Sequence, residues 1–358
     1  MRRTRHRVTA GRGYGNGKDS MSQESDKATT WGRPAVTPVA LTPARRVEND
    51  RQGVVRGRRR VPAYVWFMLP GLILYVMFFI GPMFAAFRLS FTDWPGVGNT
   101  MHFIGLRNFA DAFTDPQLAT ALWHNLQFFI IVFILQNTVG LGLALLLNAR
   151  LPGYQVHRTV LYLPSILSLI VTGFIWELML NPQIGLINPL LQGMGLGRLQ
   201  RAWLGDPSIT LIVVVLVQAW QWMGLPMVVY LAGLQSIPRE LIEAAIVDGA
   251  SARQVLLRIT FPLLAAPFTI LTVFCFIAMF RVFDIVYVLG GPLGEPDGST
   301  TTLGTLILQY AFGGLGGSAS TMPEMSYAMA IGVLSYIFLG LIAGGMMLVL
   351  RRREVTFG

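Results

Sequence analysis

The chain has 358 residues, of which 53% are hydrophobic and only 13% charged, with a mean hydropathy of +0.54. A soluble domain carries about 25% charged residues, so an ordinary water-soluble fold is excluded and a lipid-embedded body is expected. The net charge of +10 does not indicate nucleic-acid binding: roughly half of the Lys and Arg precede Val61, and Arg351, Arg352 and Arg353 sit at the C-terminus. A basic fringe on an apolar body fits membrane anchoring.

Residues 1–60 are rich in Arg, Gly, Ser, Thr and Pro without apolar periodicity, and read as a disordered basic tail. They do not form an ordinary signal peptide, since the first apolar stretch begins near Val61. Met21 stands as a second candidate start. The only lysines, Lys18 and Lys27, lie in this tail. A phosphate-binding loop needs a lysine between glycines and a Ser or Thr. The nearest approach, Gly15-Asn16-Gly17-Lys18-Asp19-Ser20, has Arg12 where the first glycine belongs and lacks the hydroxyl residue directly after Lys18. The chain is therefore read as lacking ATPase activity of its own.

Six segments are long enough for a bilayer core, which takes about 20 helical residues. They are Tyr64–Phe87, His124–Leu147, Arg158–Leu180, Ile209–Leu234, Leu263–Leu289 and Tyr327–Leu350. Leu186–Leu196 is apolar but short, holds Pro189 and two glycines, and reads as an interfacial piece. Arginines concentrate on one set of connections: the tail, then Arg150 and Arg158, then Arg239, Arg253 and Arg258, then the terminal triplet. That bias puts those connections, and both termini, in the cytoplasm. The reading is an all-α membrane protein with a transmembrane domain over 61–353 and a short tail over 354–358.

Within the fourth span Gln218, Gln221 and Trp222 share a face by helical spacing, and Pro226 is expected to kink the helix nearby. Amides with an indole suit a sugar's hydroxyl rim and apolar face. The competing reading is that the glutamines bond to neighbouring helices. Arg281 and Asp284, three residues apart in the fifth segment, are expected to form an ion pair, because an isolated Arg in a span costs about 2.5–3.5 kcal/mol. Glu177 reaches interfacial water. His102, His124 and His157 have no metal-ligand spacing. Cys275 reads as a buried apolar residue that cannot form an intrachain disulfide. No metal, cofactor or nucleic acid is implied.

The connection over 235–262 differs from a simple turn. Pro238 suits a helix start, and Glu240 and Glu243 favour the positive end of its dipole. Gly249 can end that helix, and Ser251 can cap a second one reaching Pro262. Small residues here permit close approach to a partner.

The stretch resembles the signature loop of permease subunits of binding-protein-dependent ABC importers: Glu-Ala-Ala, three residues, Gly, nine residues, then Ile-x-Leu-Pro. Glu243, Ala244, Ala245, Gly249, Ile259 and Pro262 match at that spacing, with Phe261 in place of the leucine. Further matches run in order: Leu69-Pro70-Gly71, Gly105-Leu106-Arg107-Asn108-Phe109, Trp203-Leu204, and Phe283 through Pro292. Together they look like the carbohydrate branch, similar to maltose and glycerol-phosphate importers, over about 62–352.

This resemblance implies a type I importer permease bundle with a cytoplasmic coupling helix. Glu243, Ala244, Ala245, Asp248, Gly249, Ile259 and Pro262 would couple to an ATPase, and Gln218, Gln221, Trp222 and Asp284 are candidates for the substrate path. It also implies partners: an ATP-binding cassette ATPase dimer, a second homologous permease forming a heterodimer, and an extracytoplasmic solute-binding protein, all at the lipid of the cell membrane. The alternative is an ion-coupled secondary carrier, which needs an ionisable site near mid-membrane. Its only candidates, Glu177, Arg281 and Asp284, lie off-centre. A membrane-embedded enzyme fails for want of a nucleophile–base or metal set.

Overall fold

The computed structural model describes residues 63–149, 152–313 and 323–352. These are helical apart from their connections, with one isolated bridge between Thr92 and Phe103. The expectations for the tail, Arg150, Arg353 and residues 354–358 lie outside the described residues.

Three helices are long and apolar enough to cross a membrane unbroken: α1 (Trp66–Leu89), α3 (Pro116–Asn148) and α14 (Met325–Arg351). Between α1 and α3 lies the short α2 (Arg107–Thr114). Three bent pairs pass the same test together. They are α4 (Tyr154–Ile166) with α5 (Leu169–Leu180), α7 (Thr210–Trp222) with α8 (Gly224–Gln235), and α10 (Ala252–Leu263) with α11 (Ala265–Phe280). Counting each pair once gives six spans. The segment expected to be interfacial holds only α6 (Ile187–Gly193).

Two of the expected spans need correction. The third is not one helix: α4 and α5 meet at 95°. Pro164 cannot donate to the helical ladder, and Leu167 and Ser168 are extended, with ψ of 145° and 137°. The fifth does not reach Leu289. It ends at Phe280, and Asp284–Gly290 forms a separate helix, α12. At the other end of that span, α10 bends by 61° into α11 at Leu264, so the connection runs directly into the span. The fourth span bends by 43° at Met223, where Pro226 denies the Trp222 carbonyl its i+4 donor, as the sequence predicts.

The core is built around α3. Its first turn is set by Asp115, whose carboxylate accepts from the Gln117 amide, with Pro116 at the first helical position. Ala121, Asn125, Phe128, Val132, Gln136, Gly140, Ala144 and Leu147 are its buried residues, a stripe at three- and four-residue steps along one face. That stripe packs on α7, α8 and α11. A Cβ on Gly140 would stand 2.9 Å from the Pro226 ring, so glycine is what lets α3 and α8 approach. Beyond α12, helix α13 (Leu303–Phe312) returns against α3 and α14.

Candidate functional site

The connection between α8 and α10 is a local construction. Helix α9 (Arg239–Val247) starts at Pro238 and carries Glu240 in its first turn. It ends on Gly249, whose φ of +82° is left-handed backbone that favours glycine. The Gly249 amide donates to the Ile246 carbonyl at 3.0 Å, and the Ala250 amide to the Ala245 carbonyl at 2.9 Å. This pairing is a Schellman ending. Ser251 then caps α10: its hydroxyl accepts from the Gln254 amide at 3.4 Å, while the Gln254 side chain accepts from the Ser251 amide at 2.7 Å. The reciprocal pair is a capping box.

This hairpin of helices has two sides. Ile242 packs against the cluster containing Tyr230, Leu231 and Leu234 on α8, and Ala245 is half-buried. Glu243, Ala244, Ile246, Val247, Asp248 and Gly249 are exposed, Val247 at 87%. Ile259 is half-buried and Pro262 exposed on α10. The structure thus brings Glu243, Ala244, Asp248 and Gly249 onto one open tip and puts Ile259 and Pro262 on the arm leading to α11.

The second constellation lies where α5, α7 and α11 meet. Gln218 and Gln221 are both 2% exposed, and the amide oxygen of each lacks a hydrogen-bond partner. Gln221 Nε2 donates to the Leu167 carbonyl at 2.9 Å, and Ser165 Oγ donates to the Gln221 carbonyl at 2.9 Å. These bonds tie α7 to the break between α4 and α5. The bonding of Gln221 to a neighbouring segment is therefore real, but it leaves an acceptor over. An orphaned buried acceptor costs about 1–3 kcal/mol, and such a group calls for an explanation.

Trp222 is half-buried, its ring 5.9 Å from that of Phe274 on α11. One cavity of about 260 Å³ is lined by Gln218, Trp222, Phe274, Arg281 and Asp284. A second, of about 340 Å³, is lined by Tyr162, Ser165, Gln221, Trp222 and Phe274. Gln218, Trp222 and Asp284 thus border the first cavity and Gln221 and Trp222 the second; the two share Leu169, Trp222 and Phe274 and are together called the cleft below. The expected Arg281–Asp284 ion pair is absent: among the described residues the ion pairs are Arg107–Asp111 and Arg201–Asp206, with a further contact of Asp93 to the His102 ring. The helix break at Phe280 accounts for this. Arg281 caps α11 and Asp284 opens α12, so the two no longer share a helical face, and both are exposed.

Asn125 was not singled out by sequence reasoning. It is fully buried, its Nδ2 donates to the Met279 carbonyl and its Oδ1 accepts from the Leu303 amide, both at 2.8 Å. It thereby holds the end of α11 and the start of α13, and so the flanks of the break that carries Arg281. An asparagine on the apolar stripe of a span was the available signal. Beside it, His124 Nδ1 lies 2.7 Å from the Thr301 carbonyl, a structural role rather than a ligand set. Among the described residues no group of three or more His, Cys, Asp or Glu is placed to hold a metal.

At the end of the bundle far from α9, a cavity of about 670 Å³ is lined by residues including Trp94, Asp111, Asp115, Tyr310, Glu324 and Tyr327. Both tyrosine hydroxyls donate to Asp115 Oδ2, at 2.8 and 2.9 Å. Burial first, and then the charge of Asp115, raise the Glu324 carboxyl above its ordinary value. Asn108 folds the α2 end back by donating to the Ser90 and Thr92 carbonyls at 2.9 and 2.8 Å.

Comparison with known proteins agrees across sequence and fold. A family model described as the binding-protein-dependent transport system inner membrane component matches residues 136–355. The chain is 34% identical to a probable ABC transporter permease protein of Bacillus subtilis, over 76% of this chain and 90% of that one. It is 32% identical to a trehalose/maltose transport system permease protein of Thermococcus litoralis, over 80% and 95%. It is 30% identical to a multiple sugar-binding transport system permease protein of Streptococcus mutans, over 77% and 91%. A bacterial ABC transporter importing the acidic polysaccharide alginate contains a chain of the same fold, with a TM-score of 0.69 at 23% identity, covering 81% of this chain and 95% of that one.

Proposed function

The chain belongs to the family of binding-protein-dependent transport system inner membrane components, and from that premise we propose that it is the sugar-conducting permease subunit of an ATP-driven importer in the cell membrane. The observation that carries this reading is the exposed tip at Gly249, continuous through α10 with α11, whose Phe274 lines a cleft holding two buried glutamines. Exposed Ile246 and Val247 beside the charges of Glu243 and Asp248 suit a docking knob for a separate ATPase. Glu243, Ala244, Ala245, Asp248 and Gly249 form the knob, while Ile259 and Pro262 lie on the arm that transmits its motion. The Schellman ending and the capping box fix the angle between α9 and α10. The bend at Leu264 passes any displacement of α10 to α11, which carries Phe274 on the cleft wall.

In this reading the tip faces the cytoplasm with both termini, where the arginine bias puts them. ATP closure of an ATPase dimer drives together this tip and that of a second, homologous permease. The cleft of Gln218, Gln221, Trp222 and Asp284 then opens to the far side, to receive solute from a binding protein. The relatives named as trehalose/maltose and multiple-sugar permeases support sugar as the cargo. The test is uptake by vesicles holding the purified complex. Accumulation should require ATP and the ATPase chain, and transport persisting without either would refute the proposal. Collapse of the proton gradient at constant ATP should leave uptake intact; loss of uptake would favour the ion-coupled carrier instead.

A further inference from the structure

We propose that a groove between α3 and α7 seats one membrane lipid with an uncharged, hydroxyl-bearing head, a glycosyl diglyceride by chemical class. The groove is a cavity of about 340 Å³, lined by these two helices and by Ser299 of the loop between α12 and α13. It shares no lining residue with the two cavities around Trp222, so it stands apart from the proposed cargo path. It lies at the end of the bundle far from α9, since α7 and α8 form one span that runs to that hairpin.

The lining is sorted along the helix axes. His124, Gln127, Ser208 and Ser299 supply the polar groups, while Ile130, Ile131, Leu211 and Ile212 follow deeper on α3 and α7. At about 1.5 Å per residue, Ile131 stands roughly 10 Å further into the span than His124. Polar first and aliphatic below is the order of a lipid, whose head stays at the interface and whose chain points to the midplane. Ile130 and Ile212 are 43% and 48% exposed, so the deep end opens sideways to the bilayer. The volume sits near the low end of the roughly 300–1,000 Å³ found for ligand pockets. It suits one head and the start of its chain, the rest leaving through that opening.

The polar end offers free donors and free acceptors but no charge. The Gln127 side chain is half-buried and its amide makes no hydrogen bond among the described residues. The Ser299 hydroxyl oxygen is buried and without a partner, although buried polar groups are normally paired. The Ser208 hydroxyl donates to Asp206 Oδ1 at 2.6 Å, which leaves its oxygen free to accept. His124 Nδ1 donates to the Thr301 carbonyl, a group that only accepts, and its other ring nitrogen has no partner among the described residues. A hydroxyl gives and accepts, so a polyol can meet each of these groups. Basic pockets between spans select anionic heads, and carboxylates or aromatic cages select ammonium heads. No Lys, Arg, Asp or Glu, and no aromatic cage, lines this groove. A phosphate or an ammonium therefore gains nothing there that a sugar head does not.

The test uses the full chain, with any companion chains that purify with it, in nanodiscs of phosphatidylcholine. These also hold equal parts of glucosyl diacylglycerol, phosphatidylglycerol and phosphatidylethanolamine. Lipids kept after exchange into a hydroxyl-free detergent are counted by mass spectrometry. A single glucosyl diacylglycerol per chain should remain, enriched at least tenfold over the other two. Gln127→Leu removes the free amide and Ile212→Trp fills the deep end, and each should lower that retention at least tenfold. Ile134→Trp, at an exposed position of α3 outside the groove, should leave it unchanged. The unaltered protein should also melt higher with glucosyl diacylglycerol than in phosphatidylcholine alone, and that difference should vanish in the first two variants. Because each variant is compared with itself, a general loss of stability does not imitate the result. Equal retention of the three heads, or preference for phosphatidylglycerol, would overturn the assignment of the head. Retention and melting differences that survive in both variants would overturn the site. Disulfide or bismaleimide crosslinking of Ile212→Cys to another protein chain would show that a protein covers the groove, and would overturn the lipid.

Discussion

The hairpin of α9 and α10 and the segment from Phe280 to Leu303 both turn the chain sharply at a break in a helix, yet they are held in opposite ways. In the first, each fixing contact is local. Gly249, Ala250, Ser251 and Gln254 bond to one another or to residues at most five positions away. In the second, the fixing contacts reach far. Asn125 holds Met279 and Leu303 from 154 and 178 positions away, and His124 meets the Thr301 carbonyl across 177. The turn of the hairpin is closed by hydrogen bonds of its own, while the turn after Phe280 is closed by side chains from the core.

The comparison can be broken most directly at Gly249. Gly249→Pro forbids the observed φ and removes the donor to Ile246, and should cut ATP-driven uptake at least tenfold while the chain still inserts in the membrane. Glu243→Lys should uncouple in the same way by reversing charge on the tip. Unchanged uptake and unchanged stimulation of the ATPase would count against docking there. The opposite pattern is expected at Asn125. Asn125→Leu orphans the Leu303 amide inside the bundle and takes a donor from the Met279 carbonyl, which keeps the Val282 amide; the lost amide partner alone costs about 1–3 kcal/mol, read as a lowered melting temperature in detergent. A stable Asn125→Leu protein would mean that the flanks of Arg281 hold themselves.

Smaller effects sharpen the contrast. Ser251→Ala removes one side of the capping box and should cost about 1 kcal/mol. Hydrogen exchange should quicken at the amides of the first turn of α10 and nowhere near α13. A spread of that change into α13 would show that the hairpin is not autonomous. The smallest effect concerns Glu324. Its carboxyl is raised above the ordinary value of 4.5 by burial and by Asp115, so between the ordinary and the native value the native chain holds a proton that the unfolded chain has lost. Stability from this group is full below that ordinary value and declines as pH rises through the native pKa. Glu324→Gln should flatten that part of the profile of melting temperature against pH, and an unaltered slope would assign it to another group.

The same division governs what could be read in advance. The spans, the helix ending at Gly249, the cap at Ser251 and the bend near Pro226 follow from residues within a turn or two of one another. Apolar run length, left-handed backbone and the missing proline donor are properties of short segments. The 95° break after Pro164 had its signal in the same proline, but whether a proline bends a span slightly or folds it back depends on what covers the freed groups. Here the chain runs extended at Leu167 and Ser168, where Gln221 meets the Leu167 carbonyl and Ser165 meets that of Gln221.

By itself, then, the sequence determined an all-α membrane chain, its six apolar segments and the hinged tip, because each depends on hydropathy or hydrogen bonds closed within a few residues. Only the tertiary structure decided that Arg281 and Asp284 part company, that Asn125 clamps two distant helix ends, and that Gln218 and Gln221 each keep an unmet acceptor beside adjoining cavities. Those outcomes depend on which helices lie side by side and how nearly they touch, and no spacing along the chain encodes that.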